Sequence, residues 1–423
     1  MSVTLEEINK EIDGYMYLPE KDIIKLTAGF CLTCKLPTNP LWLFIAAGSS
    51  AGKTMTIELF EKVPGFTQID NMTTNSLQSG MKRTDRSASL LQRLPANAFI
   101  VFKDFTSMMS KNPEVFAEIM GQMRTLFDGS MVKLTGGLEE KQEFNGKVSM
   151  LGAGTGVLYS KNDQFADMGQ RMVIYNFEPA DDYAISKFKK AHRKDDRKAK
   201  KNILQDMFRD YIASITVPDK FENLPDIDDQ TWDDLTDVAH LATTARSPVT
   251  RNKYGREKEV MDKGFKESFT RMFDQLCVTA YGLILQNPDG KLTQADRKLL
   301  YKLSLDCIDP KKKAVLRALT RFSSGGGPEE IATEIGFTKG SAEQFTEDLM
   351  IHGMVTRERV PYHSGHKTIY KIVPKYRDIM ARFEDIEVEQ REVPGEETIP
   401  LPEPPEEGVS LEDTAQLATL FKE

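Results

Sequence analysis

The segment Ala47–Thr54 combines residue types and spacing that could bind phosphate. It reads Ala-Gly-Ser-Ser-Ala-Gly-Lys-Thr, and its small residues let several backbone N–H groups wrap closely around phosphate oxygens. The lysine of this pattern reaches the β- and γ-phosphates, and the threonine hydroxyl binds Mg²⁺. We therefore expect ATP and Mg²⁺ as ligands. The predicted binding residues are Gly48, Ser49, Ser50, Ala51, Gly52, Lys53 and Thr54.

A carboxylate suited to the same chemistry follows an apolar segment further along the chain. Asp104 comes soon after Ala98–Phe102, and an acid at such a strand end holds magnesium beside a phosphate-binding loop. Lys103 stands where a second acid is usual. Either Asp104 serves both the metal and the attacking water, or Asp70 supplies the base. Slow hydrolysis is one consequence of this departure.

The elements that must position these residues are predicted from apolar segments that alternate with helical ones, such as Met55–Lys62. Short, bounded apolar segments are typical of buried parallel strands. The alternation predicts an α/β fold with a doubly wound parallel sheet, whose ligands bind at the carboxyl ends of the strands. The predicted strands are Leu41–Ala46, Phe66–Ile69, Ala98–Phe102, Val148–Leu151 and Met172–Tyr175.

The whole chain divides into units of different pattern. We expect an N-terminal helical segment at 1–34, the α/β core at 35–180 and a charge-rich helical lid at 181–305. The unit 306–383 has the winged-helix pattern of three helices and a hairpin, and 384–423 is an acidic tail predicted to be disordered. The winged-helix elements are Pro310–Ser323, Pro328–Gly336, Ser341–Gly353, Val355–Val360 and Thr368–Val373.

Composition narrows the class of protein. The chain has 423 residues, of which 40% are hydrophobic and 28% charged, as is usual for soluble proteins. We expect no membrane partner, since no apolar run approaches the roughly 20 residues that span a bilayer, and no signal peptide. Cys31 and Cys34 are better interpreted as two thiols on one helix face than as a zinc site. A cytoplasmic location fits these features.

Charge is unevenly distributed along the chain. The formal net charge is −8, but residues 384–423 carry 13 acids against two bases, a local charge of −11. The rest of the chain therefore carries +3. A weakly basic body is compatible with nucleic-acid binding but does not require it.

The order of motifs resembles the AAA+ branch that contains the minichromosome maintenance and superfamily III helicases. It is most similar to ATPases of phages and other mobile elements. The resemblance covers roughly residues 35–285, and its phosphate-binding loop is the most specific part. It rests further on Thr73–Gly80 after the second strand, Phe127–Leu138 as the pre-sensor hairpin, Thr155, Met168–Met172 and Ser268–Phe273.

The resemblance implies a role for each matching residue. Thr155 would be the sensor 1 residue that contacts the γ-phosphate or the attacking water. Arg171 would be an arginine finger for a neighbouring subunit's nucleotide, and Arg271 would be the sensor 2 residue of the lid. With Asp104, these residues form the predicted catalytic set. Sites shared between subunits imply a ring, which we expect to be a hexamer.

Contacts with DNA are expected at two places. The hairpin would line a pore and grip single-stranded or forked DNA through Lys133 and Lys141, although Thr135 stands where a pore lysine is usual. The wing would contribute Arg357, Arg359, His363, His366 and Lys367. Its preceding helix is acidic, which disfavours insertion into a groove. A solvated hairpin and a protein-packing role for the winged helix remain the alternatives.

The end of the tail resembles the short peptide by which bacterial replication proteins bind a sliding clamp. A capped amphipathic helix from Ser410 is the alternative. The candidate clamp-binding residues are Gln416, Leu417, Leu420 and Phe421.

The resemblance implies an ATP-driven DNA helicase or translocase that acts in replication. The alternative is an ATP-switched replication initiator or helicase loader that does not unwind DNA. The lysine at position 103 favours this alternative, as does the expected absence of a collar domain before the core. A protein remodeller is a third interpretation, since pores of this class also thread polypeptide.

Overall fold

The computed structural model describes residues 3–48, 51–77, 90–95, 97–133, 142–160, 171–177, 181–252, 259–264, 266–362, 365–384 and 386. The strands are β1 (Trp42–Ala46), β2 (Phe66–Gln68), β3 (Phe99–Phe102), β4 (Ser130–Lys133), β5 (Gln142–Asn145), β6 (Ser149–Gly154), β7 (Val173–Asn176), β8 (Thr250–Arg251), β9 (Val260–Asp262), β10 (Val355–Tyr362) and β11 (Gly365–Ile372).

The helices surround these strands. They are α1 (Leu5–Tyr15), α2 (Asp22–Thr33), α3 (Lys53–Glu58), α4 (Thr106–Met109), α5 (Pro113–Phe127), α6 (Val157–Ser160), α7 (Asp182–Ala191), α8 (Arg197–Ser214), α9 (Asp229–Arg246), α10 (Thr270–Ile284), α11 (Gln294–Leu305), α12 (Pro310–Arg321), α13 (Pro328–Ile335), α14 (Lys339–Ile351) and α15 (Pro374–Glu384).

A five-stranded parallel sheet forms the centre of the α/β part, in the order β2-β3-β6-β1-β7. Strands β1, β3 and β6 are buried along their whole length, because helices cover both faces of a sheet of this kind. The predicted parallel α/β sheet is confirmed, and each of the five predicted strands overlaps an observed one. The sequence did not indicate the order in which the strands pair. In the structure, β6 lies between β1 and β3.

The helical part is built partly from the beginning of the chain. Helix α1 packs against α8, and α2 packs against α10 and α8. The segment 182–305 is largely helical, as expected, but it also contains the two-stranded ribbon β8–β9, which was not expected. No helix in the described ranges is long and apolar enough to cross a membrane.

Two glycines allow α2 and α10 to approach each other closely. A Cβ atom added to Gly282 would lie 2.6 Å from the carbonyl oxygen of Gly29 and 2.8 Å from the Cγ2 atom of Thr33. The backbones therefore touch where any side chain would separate them. This contact holds α10 against the N-terminal helices.

We expect Gly282→Ala to lower the free energy of unfolding by about 1–3 kcal/mol, the usual cost of overpacking a closely packed contact. The measurement is the midpoint of urea unfolding. Gly121→Ala is the matched control, because Gly121 lies within α5 and a Cβ there meets nothing within 4 Å. The control should be neutral or slightly stabilising, since alanine favours helix. Equal midpoints for the two variants would contradict the close-contact interpretation.

The C-terminal part contains three helices, α12 to α14, followed by the antiparallel hairpin β10–β11. An isolated bridge between Gly326 and Tyr370 extends the hairpin. Helix α15 follows and packs against α12, α9 and α11. The predicted elements are therefore present in the predicted order. The domain boundaries drawn from the sequence remain predictions.

Candidate nucleotide site

The predicted phosphate-binding loop joins the end of β1 to the start of α3. Gly52 has a φ of 95°, in the left-handed region that side chains with a Cβ rarely adopt. The N–H of Ala47 donates to the carbonyl of Gly154 at 3.2 Å, which fixes the start of the loop to the end of β6. Ser49 and Ser50 lie outside the described residues. The strand-loop-helix context of the motif is thus present.

Lys53 lies folded over this loop. Its Nζ atom donates to the carbonyl oxygens of Ala47 at 2.7 Å and Gly48 at 2.5 Å. Partial burial lowers the pKa of Lys53, while the charge of Asp104 acts in the opposite direction. The ammonium group therefore lies on the loop and within electrostatic reach of the predicted magnesium-binding acid.

Asp104 and Thr155 follow adjacent strands of the sheet. Asp104 is exposed beyond the end of β3, and its Oδ1 atom accepts the Thr106 N–H at 2.9 Å. The N–H of Thr155, beyond the end of β6, donates to the Thr106 hydroxyl at 3.3 Å. Since β6 lies between β3 and β1, Thr155 stands between the acid and the loop. The structure thus brings four predicted site residues to the carboxyl ends of the strands: Lys53, Thr54, Asp104 and Thr155.

Lys103, which stands where a second acid was expected, has a structural role. Its Nζ atom bonds Glu58 at 3.0 Å and Glu61 at 2.7 Å, which ties the end of β3 to α3 and the turn after it. Burial lowers the pKa of Lys103, but Glu61 and Glu58 outweigh this effect and raise it. Lys201 also binds Glu58. Both glutamates are therefore engaged in ion pairs.

Asp70 is less well placed than Asp104 to act as the base. It follows the edge strand β2, and Gln68 donates to its Oδ1 atom at 2.7 Å. Three strand spacings separate β2 from β1, about 14 Å, against two, about 10 Å, for β3. Which carboxylate would activate water remains a prediction.

Arg171 and Arg271 lie at the opposite end of the sheet, where the parallel strands begin. Arg171 precedes β7, which runs parallel to β1. It therefore lies where the strands begin rather than where they end. Arg271 lies in the first turn of α10 and lines a cleft with Pro40 and Lys147, which precede β1 and β6. The length of β1 is about 16 Å at about 3.3 Å per residue. The structure therefore does not bring either arginine to the phosphate-binding loop of its own chain.

Arg171 is held by Asp128. Its Nη2 atom lies 3.0 and 2.9 Å from the two carboxylate oxygens, and its guanidinium lies 5.4 Å from the centroid of the Phe127 ring. Burial lowers the pKa of Arg171, Asp128 raises it, and the charge of Arg271 lowers it again, with a net lowering. The two arginines are thus close enough to interact.

The cleft beside these arginines has a volume of about 590 Å³. Asp128, Arg271, Asp274 and Gln275 line it together with the residues that precede β1 and β6. Lys147 caps the end of α2 by donating to the carbonyls of Thr33 and Leu36 at 2.7 and 2.9 Å, and burial lowers its pKa to about 8. This arginine-bearing surface faces away from the chain's own loop.

No protein-family model matches the chain, and no curated protein matches it.

A second cavity, of about 390 Å³, adjoins the phosphate-binding loop. Ala46–Gly48 line one side of it, and Tyr159, Asn176 and Phe177 line another. Asp309–Lys311, at the start of α12, complete it. The C-terminal unit therefore borders the same end of the sheet as the predicted phosphate-binding loop.

An antiparallel hairpin follows α5, but its returning strand, β5, lies beyond the predicted segment Phe127–Leu138. Strands β4 and β5 pair antiparallel from Ser130↔Asn145 to Lys133↔Gln142, directly after α5 and Asp128. Lys141 and Thr135 lie outside the described residues, and the backbone of Lys133 marks the end of β4. DNA contact through these lysines remains a prediction.

The basic residues predicted to form a wing lie on two different faces of the β10–β11 hairpin. Arg357 and Arg359 are exposed and two residues apart on β10, so they share one face. Lys367 pairs with Val360 in the register, which places it on the other face, and its Nζ atom lies 3.0 Å from a Glu330 carboxylate oxygen. Arg357 and Arg359 thus form an exposed basic pair on one face of the β10–β11 hairpin.

The acidic helix α14 is used for packing. Asp348 is buried and lies 2.6 Å from the guanidinium of Arg251 in β8, which also contacts Glu347. Whether α14 enters a DNA groove remains a prediction. His363 and the tail residues Gln416, Leu417, Leu420 and Phe421 lie outside the described residues.

The two CxxC thiols lie at the C-terminal end of α2. Cys31 and Cys34 are buried free cysteines. Burial raises the pKa of both thiols, to about 11 for Cys34. Among the described residues, no three His, Cys, Asp or Glu side chains form a metal-binding group.

Sequence reasoning missed two residues of the site. Thr106 connects Asp104 to Thr155, and Asp128 holds Arg171. Asp128-Gly129 has the composition of a turn, which predicts a local bend but gives no sign of a partner 43 positions away. Only the pairing of distant segments reveals such contacts.

Proposed function

We propose that the chain is an oligomeric AAA+ ATPase that acts on DNA as a replicative helicase or translocase of the phage or mobile-element type. This proposal rests on the separation of Lys53 from Arg171 and Arg271. Lys53 lies where the strands of the sheet end, and the two arginines lie where the strands begin. Arginines in that position would serve the nucleotide of a neighbouring copy. Repeated head-to-tail contacts of this kind form a ring when the rotation from one subunit to the next closes, and we propose a closed ring of six subunits.

The residues at the loop edge suit magnesium and ATP. The hydroxyl of Thr54 and the carboxylate of Asp104 are the hard oxygen ligands that Mg²⁺ prefers, with water completing its shell. Bound magnesium would neutralise charge on the β- and γ-phosphates. Lys53 would exchange the carbonyls of Ala47 and Gly48 for phosphate oxygens. The cavity beside the loop offers mainly apolar space for the nucleoside.

Thr155 and Asp104 would then orient the attacking water, with Asp104 exposed and Thr155 between it and the loop. Arg171 of the neighbour would offer its guanidinium to charge developing on the γ-phosphoryl oxygens. Arg271, beside Arg171, would enter from the same neighbour. Each site would thus draw on two subunits.

We propose that DNA is engaged by the β4–β5 hairpin and by the wing. Residues 181–305 would form the lid, and 306–383 a winged helix whose exposed Arg357 and Arg359 contact phosphates. The body charge of +3 supports this proposal. Binding of a sliding clamp by the tail remains part of the proposal, as does a cytoplasmic location.

The second candidate is an ATP-switched initiator or helicase loader without unwinding activity. Its supporting observation is Lys103, whose ion pairs with Glu58 and Glu61 leave Asp104 as the sole acid at the end of β3. One acid serving both metal and water would slow hydrolysis. ATP would then assemble the oligomer, and slow turnover would release it.

The deciding experiment measures ATP turnover with and without single-stranded DNA, beside strand displacement on a forked duplex. We expect DNA to stimulate turnover and the fork to be unwound, while a blunt duplex is left intact. Stimulated turnover without strand displacement would favour the switch. Absence of turnover under both conditions would contradict the proposed ATPase.

A further inference from the structure

The ion pair between Arg171 and Asp128 lies at the base of the hairpin. Asp128 follows the last residue of α5, and Gly129 separates it from Ser130, where β4 begins. The N–H of Gly146, just after β5, donates to the Gly129 carbonyl at 2.9 Å. A displacement of the hairpin would therefore move the Asp128 backbone directly.

Arg171 is covered within its own subunit. Its side chain is 9% exposed, whereas that of Asp128 is 54% exposed. The Phe127 ring lies against the guanidinium, and the carboxylate neutralises its charge. A guanidinium that stabilises charge in a neighbouring subunit must be exposed to that neighbour. The observed arrangement is therefore a sequestered one.

We propose that Asp128 is a latch, which holds Arg171 in this sequestered position until the hairpin engages DNA. Hairpin movement would withdraw the carboxylate and release the guanidinium to the neighbouring site. Contact with DNA would thereby be coupled to turnover. This inference rests on the proposed function, because it assigns a regulator to the arginine that completes the shared site.

Sequestration is testable without any measurement of activity. Phenylglyoxal modifies accessible arginines, and peptide mass spectrometry would give the labelling rate of Arg171 in the full chain without nucleotide. We expect Asp128→Asn to raise that rate by about tenfold, the factor associated with losing one charge-assisted hydrogen bond. An unchanged rate would overturn the latch.

Two controls separate release of the latch from loss of structure. Asp237→Asn removes a half-exposed carboxylate paired with Arg382, and it should leave Arg171 labelling unchanged. Arg246 is 1% exposed and bound by Glu267, so its labelling should stay slow in each variant. Faster labelling of Arg246 in Asp128→Asn would show general loosening and would remove support for the latch.

The catalytic half of the inference is tested by steady-state turnover. We expect Asp128→Asn to raise kcat without DNA severalfold and to leave the DNA-stimulated kcat unchanged, so that the stimulation ratio falls. A fall in both kcat values would overturn the latch, since Asp128 would then support the active position of Arg171. If Arg171→Ala keeps wild-type turnover, the shared site itself is wrong, whereas the labelling result still decides whether Asp128 sequesters Arg171.

Discussion

Replacing Lys53 by alanine is expected to abolish detectable Mg-ATP binding. The ammonium group would contact phosphate oxygens of two groups, and charged hydrogen bonds contribute about 1.5–3 kcal/mol each. Losing two of them weakens affinity by about a hundredfold or more. Titration calorimetry with Mg-ATP and Mg-ADP gives the comparison, and turnover should disappear together with binding.

The design must separate loss of the phosphate contact from damage to the loop. Lys53 also bonds the carbonyls of Ala47 and Gly48, so its removal affects the loop backbone as well. Lys62→Ala is the matched control. Lys62 lies just beyond the end of α3, is also partly buried, and pairs with Asp206 at 2.8 Å. The control should bind nucleotide normally, and both variants should unfold near the wild-type midpoint. Wild-type affinity in Lys53→Ala would remove the basis of the proposed function.

Local patterns allowed the loop and the strands to be predicted. The loop motif is contiguous, and Gly52 supplies the left-handed residue that it needs. Strands such as β1 and β6 are buried on both faces, so they form uninterrupted apolar segments. The loop motif and the apolar segments each depend on residues that are close together in the sequence. Both could therefore be recognised from the sequence.

Contacts between distant segments could not be predicted in the same way. The insertion of β6 between β1 and β3, which places Thr155 beside Asp104, depends on strand pairing across about a hundred residues. The partners of Lys103 and Lys367 depend on which helix packs beside each strand. Lys103 looked like a defect in a catalytic pair, and its ion pairs show a structural role instead.

The position of the two arginines changes the meaning of the site. A sequence motif gives order along the chain but does not say whether Arg271 faces its own nucleotide or another. The cleft shared by Arg271, Asp128 and the starts of β1 and β6 places Arg271 away from the predicted phosphate-binding loop of its own chain. An active site would then require a second copy, which makes the catalytic set testable by mixing defective subunits.

Arg171→Ala is expected to retain nucleotide binding but to lower kcat by about a thousandfold, the lower end of the usual effect of an arginine finger. Asp104→Ala should also be inactive, because it removes the proposed magnesium ligand. Arg251→Ala is the matched control for Arg171, since its side chain is 11% exposed and is paired with Asp348. It should keep wild-type turnover without DNA.

Mixing the two inactive variants decides whether the sites are shared. In an equimolar ring, about a quarter of the interfaces would join an intact Asp104 to a neighbour's intact Arg171. Turnover should therefore return to a substantial fraction of the wild-type rate, whereas each variant alone stays inactive. Size-exclusion chromatography must show that the variants assemble together. Co-assembly without restored turnover would mean that Arg171 does not act on a neighbour's nucleotide, because every mixed ring would contain complete pairs that fail to work.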